Sequence, residues 1–446
     1  MAVVKTSDES KTLDKSDTMV LSPNALRVGM YVDLNCSWFK HPFPRRTFKL
    51  TSESQIVTIK GLGLSTVLVY PRESDLETDA EGSPVEEAPA TTTAQETEAD
   101  TALEEAASSK QTPPADEDLP THGDYHQAVE LASETYRQLL GTSSQMMKDL
   151  STGSEEGMRS AESMISGLST LLTNTEAAGT VASALDPEDV GNATVLHALN
   201  VATLSMMVAQ QFDIDQDAMQ MIGMAGLLLD IGEQRLPKHI LETRARRSEA
   251  ENVKYQLHPY LGVEMLRNYP GFPEEVLDVI RSHHERLDGS GYPEKIKGDQ
   301  ISLPTRIVSA VDHYDTLVNS LYAEEALSPA EALATMFKHQ KQQFSTDVVV
   351  ALIHTLGVYP PGTVVSLSDG SFGLVLNINF QNRLKPLVLI YHQVPPEQPH
   401  TVDLLAEPAL TILRAMPREE LPRPIVDYFR LKRWTGYFIQ STMRTA

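Results

Sequence analysis

The run "SHHERLDGSGYP" at residues 282–293 sets two adjacent histidines, His283 and His284, just ahead of a glycine-rich turn. Adjacent helical side chains point about 100° apart, so the pair cannot be two core residues of one face. Two further histidines stand in similar tension with their surroundings. His197 interrupts the apolar stretch "ATVLHALNVA", and His258 opens "HPYLGVEML", where the proline after it marks a helix start. Two aspartates do the same: Asp230 closes "GLLLDIG" and Asp312 interrupts "RIVSAVDHYDTLV". A carboxylate or imidazole buried alone is costly, so each needs a partner. Four imidazoles and two carboxylates, with no thiolate, match the donors of a two-metal hydrolytic centre taking Fe, Mn or Zn. Such a centre holds its ions about 3.5–4 Å apart, activates a water and clamps a phosphoryl group. Taken singly, each residue also has a plainer reading: His197 as a hydrogen-bonded core histidine, Asp312 as a helix cap.

The elements that must position these residues are helical. From about 123 to 355 apolar residues recur at helical spacing, as in "ATVLHALNVATLSMMVAQQF" and "DAMQMIGMAGLLLDIG". Met206, Met207, Met219, Met221 and Met224 form stripes that read as core packing rather than metal ligands. Residues 18–70 read as a small β-containing module, with "LRVGMYVDL" and "STVLVY" as strands. Residues 71–121 are acidic and rich in Pro, Ser and Thr, holding 15 acids against two bases, and read as a disordered linker. Residues 122–184 read as a helical lead-in and 185–358 as the domain that carries the site. Residues 359–446 read as a β-rich extension, where "TVVSLSDGSFGLVLNINF" is a hairpin turning at Asp369-Gly370 and "PLVLIYH" is a third strand. The fold class is therefore mainly α, a helical bundle core with small β-containing flanks.

Composition narrows the function. A formal charge of −24 argues against binding DNA or anionic membranes, and much of that charge solvates the linker. No apolar run approaches membrane-spanning length and the N-terminus has no signal-peptide core, so a cytoplasmic protein without membrane insertion is expected. The single cysteine, Cys36, excludes an intrachain disulfide.

In order, "HALNVA", "GLLLDIG", "HPYLG", "SHHERLDGSGYP" and "LPTRIVSAVDHYDTL" resemble an HD-GYP domain over roughly 185–355. That family is the cyclic-di-GMP phosphodiesterase branch of the HD metal-dependent phosphohydrolases. Residues 26–56 also resemble an uncharacterised domain often found ahead of bacterial HD-GYP modules. The resemblance implies an HD-type helical bundle and a bacterial signalling enzyme with two divalent metals, Fe or Mn first. It would yield the linear dinucleotide or GMP. Asp230 would bridge, His197 and Asp312 would hold one metal, and His258, His283 and His284 the other. The loop with Arg286, Asp288, Gly289, Gly291, Tyr292, Pro293 and Lys297 would face substrate or a diguanylate cyclase (GGDEF-domain) partner, with Arg286 and Lys297 as phosphate contacts. Homodimerisation is left open.

The sequence departs from the family at three positions. The signature histidine before the aspartate is Leu229, the substrate-facing lysine three positions after it is Glu233, and the acidic third-metal position of some members is Ala193. The metal nearest Leu229 is thus expected to be weak or absent. Glu233 has two opposed readings: a carboxylate that replaces the lost ligand, or a negative charge set against the phosphodiester. The alternative to an active enzyme is an inactive module that binds cyclic-di-GMP or a cyclase.

Overall fold

The computed structural model describes residues 18–74 and 140–440, except 35–40, 42, 44–46, 63, 175–178, 186–192, 242–246, 321, 323–324, 380–381, 394–399, 430 and 432–433. Cys36, the linker from 75 onwards and the lead-in up to 139 lie outside the described residues. The chain divides into two units, Met1–Thr91 and Thr92–Ala446.

In the first unit, β1 (Met19–Leu21), β2 (Tyr31–Asp33), β3 (Thr47–Lys49) and β4 (Val67–Val69) form an antiparallel sheet in the order β1-β4-β2-β3. Helix α1 (Glu53–Gly61) starts at a capping box between Ser52 and Gln55. It contributes Ile56 and Ile59 to a core with Val32, Leu34, Leu50, Val67 and Val69. The strands expected in "LRVGMYVDL" and "STVLVY" are β2 and β4.

The second unit is mainly helical. A helix at 140–151, α2, precedes α3 (Glu155–Asn174). The central pair is α4 (Ala193–Ala209) and α5 (Gln216–Leu228). Helix α4 buries residues all round, as its continuous apolar sequence requires of a core helix. Three of the predicted methionines, Met206, Met207 and Met219, are in that core. Next come α6 (Glu249–Tyr255), α7 (His258–Leu266), α8 (Glu274–Ser282), α9 (Leu303–Val318), α10 (Pro329–His339) and α11 (Thr346–Leu356).

The expected hairpin is β6 (Val364–Leu367) and β7 (Phe372–Asn377), with Ser366 opposite Phe372 and Gly370 at φ +85° in the turn. The third strand is β8 (Leu387–Ile390), and β9 (Thr401–Asp403) and β10 (Ile412–Ala415) extend the sheet. The helical reading of 122–184 fails at its end. Gly179–Leu185 is a strand, β5, paired antiparallel along its whole length with β11 (Trp434–Gln440). The sequence "GTVASAL" has no marked local preference, and the partner that makes it a strand lies some 250 residues away.

Candidate functional site

Asp230 owes its place to a break in the chain. Helix α5 ends at Leu228, and a 3-10 turn over Ile231–Arg235 follows the aspartate. Gly232 in that turn lies so close to α7 that an added Cβ would sit 2.0 Å from the carbonyl oxygen of His258. Only glycine permits this approach, which brings Asp230 beside the first residue of α7. His258 is fully buried there, and Pro259 follows it in the first turn, where a missing N–H costs nothing.

His258 and His283 are oriented by main-chain carbonyls. Nδ1–H of His258 donates to the Tyr255 oxygen at 2.8 Å, and Nδ1–H of His283 donates to the Ile280 oxygen at 2.7 Å. Carbonyls only accept, so in each neutral ring the unprotonated nitrogen is Nε2. These nitrogens face each other at 3.3 Å, and Nε2 of His284 stands 3.2 Å from that of His258. Asp230 Oδ1 lies 3.1 Å from His258 Nε2 and 3.6 Å from His283 Nε2, buried and without an aligned hydrogen bond. One donor atom from each of Asp230, His258, His283 and His284 falls within 4.8 Å of the others. Converging lone pairs around an orphaned carboxylate oxygen fit a divalent cation.

The second group faces the other oxygen of Asp230. His197 Nε2 lies 3.7 Å from Asp230 Oδ2 and 3.2 Å from Asp312 Oδ1, and Asp312 Oδ2 lies 3.6 Å from His284 Nδ1. Both aspartates therefore stand between His197 and the three-histidine group. Burial alone would lower the basicity of His197, yet the bonds to Asp312 and Asp315 carry its pKa well above the usual value. Burial would raise Asp230, but the positive charge that His258 and His283 carry when no cation is bound holds it well below the carboxylate range. Burial, reinforced by His283, pushes His284 well down.

Of the departures, Leu229 is fully buried and offers no donor. Helix α5 stops before it, so Leu229 and Glu233 do not lie on one continuous helix. Glu233 sits on the 3-10 turn beside Tyr255. Burial and the charge of Asp230 push its carboxyl up to about 7.

The glycine turn packs directly on the site. The Tyr292 ring lies 4.6 Å from the His284 ring, and a Cβ on Gly291 would come within 2.4 Å of the His284 carbonyl oxygen. Glu285 Oε1 accepts the amides of Glu294 and Lys295 at 2.7 and 2.9 Å, which fastens the loop around Pro293. Asp288 Oδ1 takes the Ser290 amide at 2.8 Å and closes the turn around Gly289, whose φ is +79°. Lys297 is exposed, its stem lying over Gly289. Arg286 turns one nitrogen inward. Its Nη1 donates to Ser309 Oγ at 2.5 Å and to the carbonyls of His283 and Glu285 at 3.3 and 3.1 Å. Its guanidinium also lies over the Phe344 ring.

Sequence reasoning missed Asp315, fully buried, whose Oδ2 accepts Nδ1–H of His197 at 2.7 Å. The criterion that picked out Asp312, a carboxylate inside an apolar helix, applies equally to Asp315 three residues on. Among the described residues no helix is long and apolar enough to cross a membrane.

Comparison with known proteins agrees with this geometry. The HD domain family profile matches residues 159–348, and a domain of unknown function, DUF3391, matches 19–161. A cyclic di-GMP phosphodiesterase of Pseudomonas aeruginosa is 27% identical over 377 residues, covering 84% of this chain and 85% of that protein. The cyclic di-GMP phosphodiesterase response regulator RpfG of Xanthomonas campestris is 30% identical over 174 residues, 39% of this chain and 46% of its own. A 3'3'-cGAMP-specific phosphodiesterase of Vibrio cholerae is 30% identical over 167 residues, 37% of this chain and 36% of that one. With its histidines and aspartates gathered in the helical unit that the HD profile covers, the chain carries an HD domain and is similar to the cyclic di-GMP phosphodiesterases of the HD-GYP family.

Proposed function

We propose that the chain hydrolyses cyclic di-GMP at a centre of two divalent cations. The observation that carries this reading is the placing of Asp230 between two donor groups. Its Oδ1 faces His258 and His283, and its Oδ2 faces His197. Asp230 would be shared between the two positions; His258, His283 and His284 would hold one cation, and His197 and Asp312 the other. A nitrogen and oxygen donor set without thiolate suits Fe or Mn. Bound there, the cations supply an activated water and neutralise phosphoryl oxygens. Tyr292, its ring tilted against that of His284, walls the substrate side, and Glu285 keeps that wall in place. Lys297 is the exposed cation near a bound phosphate. The partners expected with this reading are the substrate and diguanylate cyclases docking on the loop 288–297. The compartment is the cytoplasm.

One observation favours a second reading, a module that binds cyclic di-GMP with little turnover. Leu229 leaves the His197 position one imidazole short, and Glu233 stands near the bridging carboxylate where the family places a lysine. The test is metal analysis of the purified protein together with hydrolysis of cyclic di-GMP under Mn or Fe supplementation. Two metals and turnover support the enzyme. Tight binding of cyclic di-GMP without turnover supports the module.

A further inference from the structure

Asp315 is held in place by two asparagines that also hold a distant strand. Its Oδ1 accepts Nδ2–H of Asn200 at 2.7 Å and of Asn319 at 2.9 Å. The same two amide nitrogens donate to the carbonyl of Thr435 in β11, each at 2.9 Å. The strand answers in kind. The Thr435 amide donates to Asn319 Oδ1 at 2.7 Å, and the Tyr437 amide to Asn200 Oδ1 at 3.0 Å. The β11 edge that faces away from β5 is thus paired by side-chain amides of α4 and of the residue that ends α9. The Tyr437 and Tyr314 hydroxyls, 2.9 Å apart and buried, reinforce the seam.

Each asparagine therefore has its amide fixed in one orientation. Were either amide reversed, an oxygen would face both the Thr435 carbonyl and the Asp315 carboxylate, and every contact would be repulsive. With the donors aimed at it, Asp315 keeps Oδ2 for His197 Nδ1–H, and His197 presents Nε2 towards Asp230 and Asp312.

We infer that β11, acting through Asn200, Asn319 and Asp315, is a positioning element for His197 and so sets the affinity of that half of the metal centre. This rests on the reading of His197 as a metal ligand. Asp315 orients the ring and fixes its tautomer; Asn200 and Asn319 orient Asp315; Thr435 and Tyr437 orient the asparagines. The three-histidine half uses main-chain carbonyls of Tyr255 and Ile280 for the same purpose and does not depend on the strand.

The test titrates Mn(II) into the full metal-free chain and follows both binding events. The variants are Asn319→Ser, Thr435→Pro and His197→Ala, with thermal melts to confirm folding. Thr435→Pro leaves both helices untouched and removes the amide that Asn319 reads, an amide that points away from the β5 ladder. The expected result is roughly 10–100-fold weaker binding at one position in Asn319→Ser and Thr435→Pro, with the other unchanged. A downfield imidazole N–H proton resonance, assigned by its loss in His197→Ala, should disappear or shift in both. If His197→Ala abolishes one binding event while the other two variants leave both affinities and the resonance unchanged, the relay is wrong. If His197→Ala itself leaves both binding events intact, the ligand reading fails and the relay falls with it.

Discussion

Gly232 and His258 are in backbone contact: a methyl group on the glycine would overlap the histidine carbonyl, at 2.0 Å. The turn behind Asp230 and the start of α7 are locked together by the absence of a side chain. Gly232→Ala should therefore push them apart, destabilising the fold by about 1–3 kcal/mol, the range for overpacked sites. It should also lower metal content at the three-histidine position. Urea unfolding and metal analysis of the same preparation check both.

Asp230 offers one oxygen to each group of histidines, so its loss should affect both cations. Asp230→Ala is expected to abolish turnover of cyclic di-GMP and to reduce bound metal at both positions. Asp312→Ala should spare the three-histidine position. Equal metal loss in the two variants would contradict the bridging role.

The Glu233 carboxyl titrates near 7 in the metal-free protein because of burial and the charge of Asp230. A folded pKa raised above the unfolded one means that the fold holds this proton more tightly than the unfolded chain does. Its contribution is present below about 4.5 and is lost as pH rises towards 7. In chelator, the melting temperature of the wild type should fall between pH 5 and 8 more steeply than that of Glu233→Gln. If Glu233 supplies a ligand, cation binding at the His197 position should strengthen more steeply over the same range in the wild type than in Glu233→Gln.

Glu285 holds the loop by accepting two main-chain amides, those of Glu294 and Lys295. Hydrogen bonds to a charged group contribute about 1.5–3 kcal/mol each. Glu285→Ala should speed hydrogen exchange at residues 294 and 295 and raise KM for cyclic di-GMP, while metal content stays as in the wild type. A change in metal content without faster exchange would place Glu285 in a different role.

Restoring the family residues tests the departures. Glu233→Lys, which trades a carboxylate for a cation near the bridging aspartate, is expected to raise affinity for cyclic di-GMP. Adding Leu229→His should raise turnover further but lower stability, because position 229 is sealed in the core. Flat rates in the double variant would mean that these two positions do not limit activity.

Much of this centre was legible in the sequence because its residues are in conflict with their neighbours. His197 and Asp312 stand in apolar helices and Asp230 closes an apolar run, and that mismatch needs no structure to be noticed. The hairpin at Asp369-Gly370 was legible for a similar local reason. Arg286, beside a glycine loop, suggests a phosphate ligand, and its bonds from Nη1 to the carbonyls of His283 and Glu285 could not be read from the sequence. Asn200, Asn319 and β5 were out of reach for a different reason. Their meaning depends on β11, and no local pattern near residue 180 or 200 announces a strand at 434–440.

That distance also orders events in time. Every proposed metal ligand lies before residue 313, while Thr435 meets Asn200 across 235 positions of chain. As the chain leaves the ribosome, the helices and the three-histidine pocket emerge first, and the strand that steadies His197 follows more than a hundred residues later. A contact so remote in sequence is slow to form. The newborn protein accordingly passes through an interval in which the three-histidine pocket has emerged and His197 still waits for its brace.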